Sequence, residues 1–372
     1  MGKTRREKPE NSRATPKDTV EQQKPPAPKL RLLFHYGPHA TAEDARHIRA
    51  VLKEFKPHFY AKEQMIFDPE DLVPFNRELQ KIRKDAARRI SFLQGFERRQ
   101  YGEFDRKEVE EMLDAYKVRM CGLESFVPNE AQLLEESANY SKDSRLAFVT
   151  GEFEKALKSR HEHVLLENKH QRIRDENIVQ NAEKLVQQFT TAYPELRNEK
   201  EIRVYARLGH MHSPPYHELA RRGSTEVGRI FDSRPVVHGY TSEAKRMNQK
   251  ETHNISEPRY RQVLARSLLE SPLRRTLREK GVKSTLVTEI ASRVISEKFH
   301  EDEIRGISEE IAKEQEAKPL AKTAEIVEMV LGKRVREKGL KLPQNEDEAE
   351  ALIKKAYPKI DFSKPWWLGR RK

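Results

Sequence analysis

One twelve-residue stretch constrains the fold more than any other, EIRVYARLGHMH at residues 201–212. Every second residue of its first half is aliphatic, which predicts a β-strand with one more apolar face. Gly209 then ends the strand and is expected to let the chain turn sharply, so that His210 and His212 follow the carboxyl end of the strand. Ligands of open α/β sheets bind at that edge. The stretch therefore indicates a functional corner of the molecule.

Three earlier segments also predict strands, and each of them ends next to a histidine or a glutamate. They are LRLLFHY at 30–36, HFYAK at 58–62 and YKVRMC at 116–121. The first two are separated by a short amphipathic helix that ends at Pro57, so they form a βαβ unit and should be parallel neighbours. A fifth, weaker strand is predicted at 226–232.

Helical periodicity fills most of the remaining chain. Two long helical segments are predicted at 68–101 and 144–193, the second with a break near Gly151. Residues 257–357 contain several more helical segments and no strand pattern. The predicted fold class is α/β, with a mainly parallel central sheet flanked by long helices and an additional C-terminal all-helical region.

Composition shifts along the chain divide it into four parts. The predicted parts are a basic, proline-rich disordered tail at 1–29, an α/β domain at 30–234, a helical region at 235–360 and a tryptophan-containing basic tail at 361–372.

The chain has a net charge of +12, from 72 basic and 60 acidic residues, and this excess indicates which partners it would attract. An excess of positive charge attracts nucleic acid or an acidic protein partner. The run KIRKDAARR at 81–89 and the last three residues, RRK, favour such contacts. Acidic residues are interleaved throughout, however, and a mixed charge pattern is more typical of a solvated helix.

The single cysteine, Cys121, excludes an internal disulfide and a zinc site built from several cysteines. Its strand position favours a small buried hydrophobe over a nucleophile.

The N-terminus lacks the apolar core of a signal peptide, and the chain has no uninterrupted run of about eighteen apolar residues. We therefore expect no membrane association and a cytoplasmic location.

Placing the predicted strands in one sheet collects six ionisable side chains at its carboxyl edge. A histidine or glutamate near one strand end is usually a helix cap or a loop residue, but recurrence after four strands indicates a site. Such a site could ligate a divalent metal or supply a general acid and base. The chain contains no Gly-x-Ser-x-Gly, P-loop or Gly-x-Gly-x-x-Gly motif. The six residues are His35, His39, Glu63, Glu124, His210 and His212.

Three segments resemble one known superfamily in their order and spacing. They are FHYGPHATAEDARHIRAVLKEFKPHFYAKE at 34–63, HQRIRDENIVQNAEKLVQQF at 170–189 and VYARLGHMHSPPYHELARRG at 204–223. They are similar to the opening βαβ unit, the arginine-bearing helix and the second Gly-x-x-His strand of the TraB, TIKI, ChaN and erythromycin-esterase-like superfamily. The resemblance covers residues 30–232. The first turn differs from the superfamily pattern, because Gly37 and His39 are separated by one residue instead of two.

The resemblance implies a hydrolase that acts on a small-molecule or peptide substrate. Some members of the superfamily need a metal, which would place a divalent cation on His39, Glu63 and His212. Other members have no established activity. The alternative, which the net positive charge favours, is a non-catalytic binding protein that contacts nucleic acid or an acidic protein through its basic helices and tails. The implied catalytic residues are His39 (or His35), Glu63, Arg174 (or Arg172) and His212, with Glu124 as an extra carboxylate. Glu124 and His210, which follow strand ends at the same edge, are the predicted substrate contacts.

Overall fold

The computed structural model describes residues 27–37, 42–63, 70–97, 103–115, 118–125, 127–231, 239–250 and 254–358. These residues form five strands and thirteen α-helices. The strands are β1 (Lys29–Gly37), β2 (Phe59–Lys62), β3 (Arg119–Cys121), β4 (Glu201–Gly209) and β5 (Glu226–Phe231).

The helices divide into those that alternate with the strands and those that follow them. The first group is α1 (Ala42–Phe55), α2 (Leu72–Lys84), α3 (Ala86–Glu97), α4 (Glu103–Asp114), α5 (Glu130–Val149), α6 (Phe153–Ala192) and α7 (Ser213–Arg222). The second group is α8 (Tyr240–Lys250), α9 (Pro258–Glu279), α10 (Thr285–Ser296), α11 (Glu301–Ala317), α12 (Thr323–Glu337) and α13 (Glu346–Ala356).

All strand pairs of the sheet are parallel, and the strand order is β3-β2-β4-β1-β5. The predicted parallel α/β sheet is thereby confirmed. The prediction that β1 and β2 are neighbours is wrong, because β4 lies between them and pairs with both. A strand that is covered on both faces is favoured in the centre of a sheet, and every residue of β4 from Val204 to Leu208 is buried.

The two faces of the sheet carry different helices. One face presents aliphatic and aromatic side chains, among them Leu32 and Val204, to the second half of α6 and to α7. The opposite face packs against α1, α2, α3 and α4, and its core includes Tyr60 and Tyr205. Cys121 is buried on the first face, as expected, and burial raises the pKa of its thiol.

The 40-residue helix α6 contributes to two hydrophobic cores. At 1.5 Å per residue it is about 60 Å long. Its first part packs into a core with α5 and with helices of the C-terminal region, and its second part packs on the sheet. The predicted break near Gly151 is confirmed, because α5 ends at Val149 and Gly151 has a φ of +79°.

The chain is helical from α8 onward, as the sequence predicts for its C-terminal region, and the described residues after β5 contain no strand. The long helix predicted at 68–101 is divided instead into α2 and α3, because the backbone of Asp85 is extended. None of the helices in the described part of the chain has the length and apolar character that a membrane crossing requires.

The side chain of Asn76 in α2 forms hydrogen bonds with the backbone of β3, the edge strand of the sheet. Its Nδ2 donates to the carbonyl of Met120 at 2.8 Å, and its Oδ1 accepts from the Met120 amide at 2.7 Å. We expect Asn76→Ala to lower the free energy of unfolding by about 1–3 kcal/mol, since both groups of Met120 would lose these bonds. Urea denaturation measures the difference. Gln80→Ala, an exposed position one turn later, is the control, and an equal cost in both variants would contradict the role of Asn76.

Candidate functional site

Four of the residues singled out in the sequence come together at the carboxyl edge of the sheet. Glu63 directly follows β2, Glu124 follows β3, and His212 ends a single 3-10 turn after β4. Arg174 reaches the same place from the middle of α6. His212 is 1% exposed, Arg174 6% and Glu124 7%, so these ionisable groups are buried together.

Arg174 joins two carboxylates that belong to different strands. Its Nε lies 2.7 Å from Oε2 of Glu124, and its Nη2 lies 2.9 Å from Oε1 of the same residue. Nη2 also donates to Oε1 of Glu63 at 3.0 Å. Burial lowers the pKa of Arg174, but Glu124 and Glu63 outweigh this effect and raise it. The guanidinium is therefore a fixed positive charge between two glutamates.

His212 lies between Asp175 and Glu63. Its Nδ1 is 2.7 Å from Oδ1 of Asp175, and its Nε2 is 3.3 Å from Oε1 of Glu63 without the angle of a hydrogen bond. Burial lowers the pKa of His212, but Glu63 and Asp175 outweigh it and raise the pKa to about 9. At neutral pH the ring is consequently an imidazolium that can give up a proton.

Main-chain contacts at the ends of the strands hold Glu63 and His212 in place. The Gly209 amide donates to Oε2 of Glu63, and the Glu63 amide donates to the carbonyl of Arg207 at 3.1 Å. The hydroxyl of Tyr36 donates to the carbonyl of His212 at 3.0 Å. These contacts tie Glu63 and the backbone of His212 to the ends of the parallel strands.

The turn after β4 does not depend on glycine. Gly209 has φ −64° and ψ 157°, an extended conformation that any residue adopts. The expectation that its conformational freedom makes the turn is therefore wrong, and the 3-10 turn His210–His212 changes the direction of the chain. Gly37, its partner in β1, is the position that requires a glycine. A Cβ there would lie 1.9 Å from Nη2 of the fully buried Arg207.

Two alternatives left open by the sequence lie elsewhere. His35 is fully buried on the opposite face of the sheet, where its Nδ1 lies 2.5 Å from the hydroxyl of Tyr205. Arg172 donates to the carbonyl of Asn248 in α8. Arg174 is therefore the arginine of the cluster. His39 lies outside the described residues.

The side chain of His210 also lies outside the described residues, and only its backbone, at the start of the 3-10 turn, is described. Its assignment as a substrate contact stays a prediction.

Sequence reasoning missed Asp175, although a signal was present. Gln171, Arg174, Asp175 and Ile178 follow the i, i+3, i+4, i+7 pattern of one helical face. Gln171 donates to Oδ1 of Asp175 at 3.1 Å. Burial raises the pKa of Asp175, while His212 lowers it.

A second buried polar network, on the opposite face of the sheet, was also missed. Glu108 of α4 is fully buried, accepts a hydrogen bond from Tyr60 and lies 3.2 Å from Nζ of Lys62. The sequence of α4 is rich in charged residues and does not distinguish a buried glutamate from a solvated one.

A groove of about 490 Å³ between α6 and α7 borders the cluster and is lined by Gln171, Asp175 and Pro215, among others. A larger cavity of about 1340 Å³ lies at the opposite, amino edge of the sheet, where His58 and Arg119 precede or begin their strands. We assign the site to the carboxyl edge despite the smaller groove, because the buried, mutually bonded ionisable groups lie there.

The contacts of Glu63 bear on the predicted divalent metal. One of its oxygens contacts both Arg174 and His212, and the other accepts the Gly209 amide. A guanidinium 3.0 Å from the proposed ligand oxygen disfavours a second cation on that oxygen. Because His39, another of the proposed ligands, lies outside the described residues, the divalent cation stays a prediction. Among the described residues, no three histidine, cysteine, aspartate or glutamate side chains are arranged so that they could hold a metal ion.

The basic run at 81–89 forms ion pairs with neighbouring carboxylates. Lys81 and Arg88 contact Glu78 at 3.0 Å each, and Arg89 contacts Asp114 at 2.5 Å. Exposed pairs of this kind contribute little stability, but they reduce the local positive charge. The run therefore has a mixed surface, and binding of nucleic acid or an acidic protein through it stays a prediction.

Comparison with known proteins gives no assignment: no protein-family model, curated protein or solved structure matches this chain.

Proposed function

We propose that this chain is a hydrolase that cleaves an ester or an amide at the carboxyl edge of its sheet. The observation that carries this proposal is the unbroken line of buried contacts Asp175–His212–Glu63–Arg174–Glu124. Placing five ionisable groups in the interior costs free energy, and such clusters concentrate at functional sites.

Two members of the line have the properties of an acid and a base. His212 is protonated at neutral pH, because its pKa is raised to about 9, and it would donate a proton to the leaving oxygen or nitrogen. The Glu63 carboxylate would accept a proton from the water that attacks the carbonyl carbon. After one turnover the proton on Glu63 would return to His212 through solvent.

The other members position this pair. Asp175 orients the His212 ring through Nδ1, and Arg174 fixes Glu63 while Glu124 holds Arg174 by two bonds. Arg174 also supplies positive charge where a tetrahedral intermediate becomes negative. The resemblance to the TraB, TIKI, ChaN and erythromycin-esterase-like superfamily supports the same roles for Glu63, Arg174 and His212.

A hydrolysis assay tests the proposal. The purified chain is incubated with a panel of 4-nitrophenyl esters and fluorogenic peptides, and His212→Gln and Glu63→Gln are compared with it. Each substitution removes the acid or the base, so kcat should fall by about a hundredfold or more. Circular dichroism checks that both variants are folded.

His217→Gln is the matched control, since His217 is an exposed histidine of α7 five residues from His212. Its rate should equal that of the wild type. EDTA should leave the rate unchanged, because the contacts of Glu63 do not fit a metal ligand. The absence of turnover across the panel, or equal rates in His212→Gln and wild type, would contradict the proposal.

A further inference from the structure

A basic cleft of about 410 Å³ lies in the helical part of the molecule. Side chains of α5, α6, α8 and α9 line it, and none of them belongs to the acid–base cluster. Four serine or threonine hydroxyls and two glutamates are among them. The cleft is dominated by five arginines, which are Arg145, Arg160, Arg274, Arg275 and Arg278.

Arg160 is the unusual residue of this cleft. It is 5% exposed, and its Nε is buried without a hydrogen-bond partner. No hydrogen bond or ion pair joins its guanidinium to another described residue. Burial, together with the nearby Arg145 and Arg274, lowers the pKa of Arg160 to about 10 against the opposing effect of Glu270. A buried cation that forms no ion pair or hydrogen bond is costly to the fold alone.

The carboxylates near the cleft already have partners. Both oxygens of Glu270 accept the Tyr240 amide at 2.9 Å, which caps the start of α8. Arg274 pairs with Glu289 at 3.0 Å, and Arg275 with Glu279 at 2.8 Å. Arg145, Arg160 and Arg278 have no ion pair within the described ranges, so three positive charges are uncompensated there.

We propose that this cleft binds a small ligand with at least two phosphate groups, one of them on the Arg160 guanidinium. Guanidinium groups match the oxygens of a phosphate in a bidentate geometry. Buried Arg160 and the exposed Arg145 and Arg278 together offer more positive charge than one carboxylate neutralises, which favours a ligand with several negative charges. The ligand must be small, because Arg160 is buried in a cleft of about 410 Å³. The cleft is separate from the hydrolase site, and its ligand does not depend on the proposed hydrolysis.

Titration calorimetry with inorganic pyrophosphate tests the proposal on the full chain. We expect binding at low salt that weakens as salt rises, with inorganic phosphate binding at least tenfold more weakly than pyrophosphate. Arg160→Met should weaken pyrophosphate binding at least tenfold. Arg221→Gln is the control, since Arg221 is exposed on α7 and pairs with Glu218, and it should bind as the wild type does.

The unfolding temperature of the ligand-free protein shows whether Arg160 serves ligand binding or stabilises the fold. Methionine replaces an uncompensated buried cation at position 160, so Arg160→Met should unfold at the same temperature as the wild type or higher. A structural arginine would give a lower temperature. Arg278→Gln, at an exposed position of the same cleft, should weaken pyrophosphate binding without a change in unfolding and serves if Arg160→Met fails to fold.

Three results would overturn the proposal. The first is no heat of pyrophosphate binding to the wild type at low salt. The second is unchanged affinity in both arginine variants. The third is binding of a single-stranded RNA oligonucleotide that requires Arg160 and that pyrophosphate does not displace, which would assign the cleft to nucleic acid.

Discussion

Replacing Arg174 with methionine is expected to lower the free energy of unfolding by about 3–5 kcal/mol. Arg174 is bonded to both oxygens of Glu124 and to one of Glu63. Methionine fills much of the same space but leaves two buried carboxylates without their cation. Urea denaturation followed by circular dichroism measures the loss.

Arg172→Met is the matched control for this change. Arg172 lies two residues away on the same helix, is exposed, and donates to a backbone carbonyl instead of a carboxylate in the cluster. Its loss should cost less than about 1 kcal/mol. Adding Glu124→Gln to Arg174→Met should recover part of the loss, because one of the unpaired charges is removed. An Arg174→Met cost as small as that of Arg172→Met would show that the buried pairs contribute little.

Raising the pH from 6 to 10 is expected to remove about 3 kcal/mol of stability through His212 alone. The folded pKa of His212 is about 9, above the ordinary value of 6.5 for an unfolded chain. A group whose pKa is raised by folding stabilises the fold fully below the unfolded value. That contribution declines above pH 6.5 and is lost as the pH passes through about 9, where the folded imidazolium loses its proton.

His212→Gln isolates this contribution from the contributions of the other groups that titrate in the same pH range. The difference in unfolding free energy between wild type and His212→Gln should be largest at pH 6 and should shrink as the pH rises. His217→Gln should follow the pH dependence of the wild type. Parallel curves for wild type and His212→Gln would contradict a protonated His212 in the folded state.

The sequence predicts where the helices and strands lie along the chain better than it predicts which of them lie side by side in the fold. Alternation in β4 and helical spacing in α6 are local patterns, and both elements lie where those patterns place them. The insertion of β4 between β1 and β2 is a long-range pairing. This pairing depends on which strand is covered by helices on both faces of the sheet. Because strands that follow each other along the chain are often neighbours, the sequence favours β2 instead of β4 beside β1.

The same distinction applies to the candidate site. Glu63, Glu124 and His212 follow strand ends, so the common edge of a parallel sheet predicts that they meet. Asp175 comes from a helix, and its role depends on how α6 is rotated against the sheet. The uncompensated Arg160 was not distinguishable in the sequence, because its burial depends on helices that begin about eighty residues later. Burial of a charged side chain is a tertiary property that composition does not reveal.

Helix α6 connects the two proposed sites directly. Arg160 and Arg174 are fourteen residues apart on it, which is about 21 Å along the helix axis. A hydrogen-bonded helix transmits an axial shift or a rotation along its length, whereas a loop would absorb such a movement. A shift or rotation of α6 at Arg160 would therefore reach Arg174 without an intervening hinge, because both residues lie on one continuous helix.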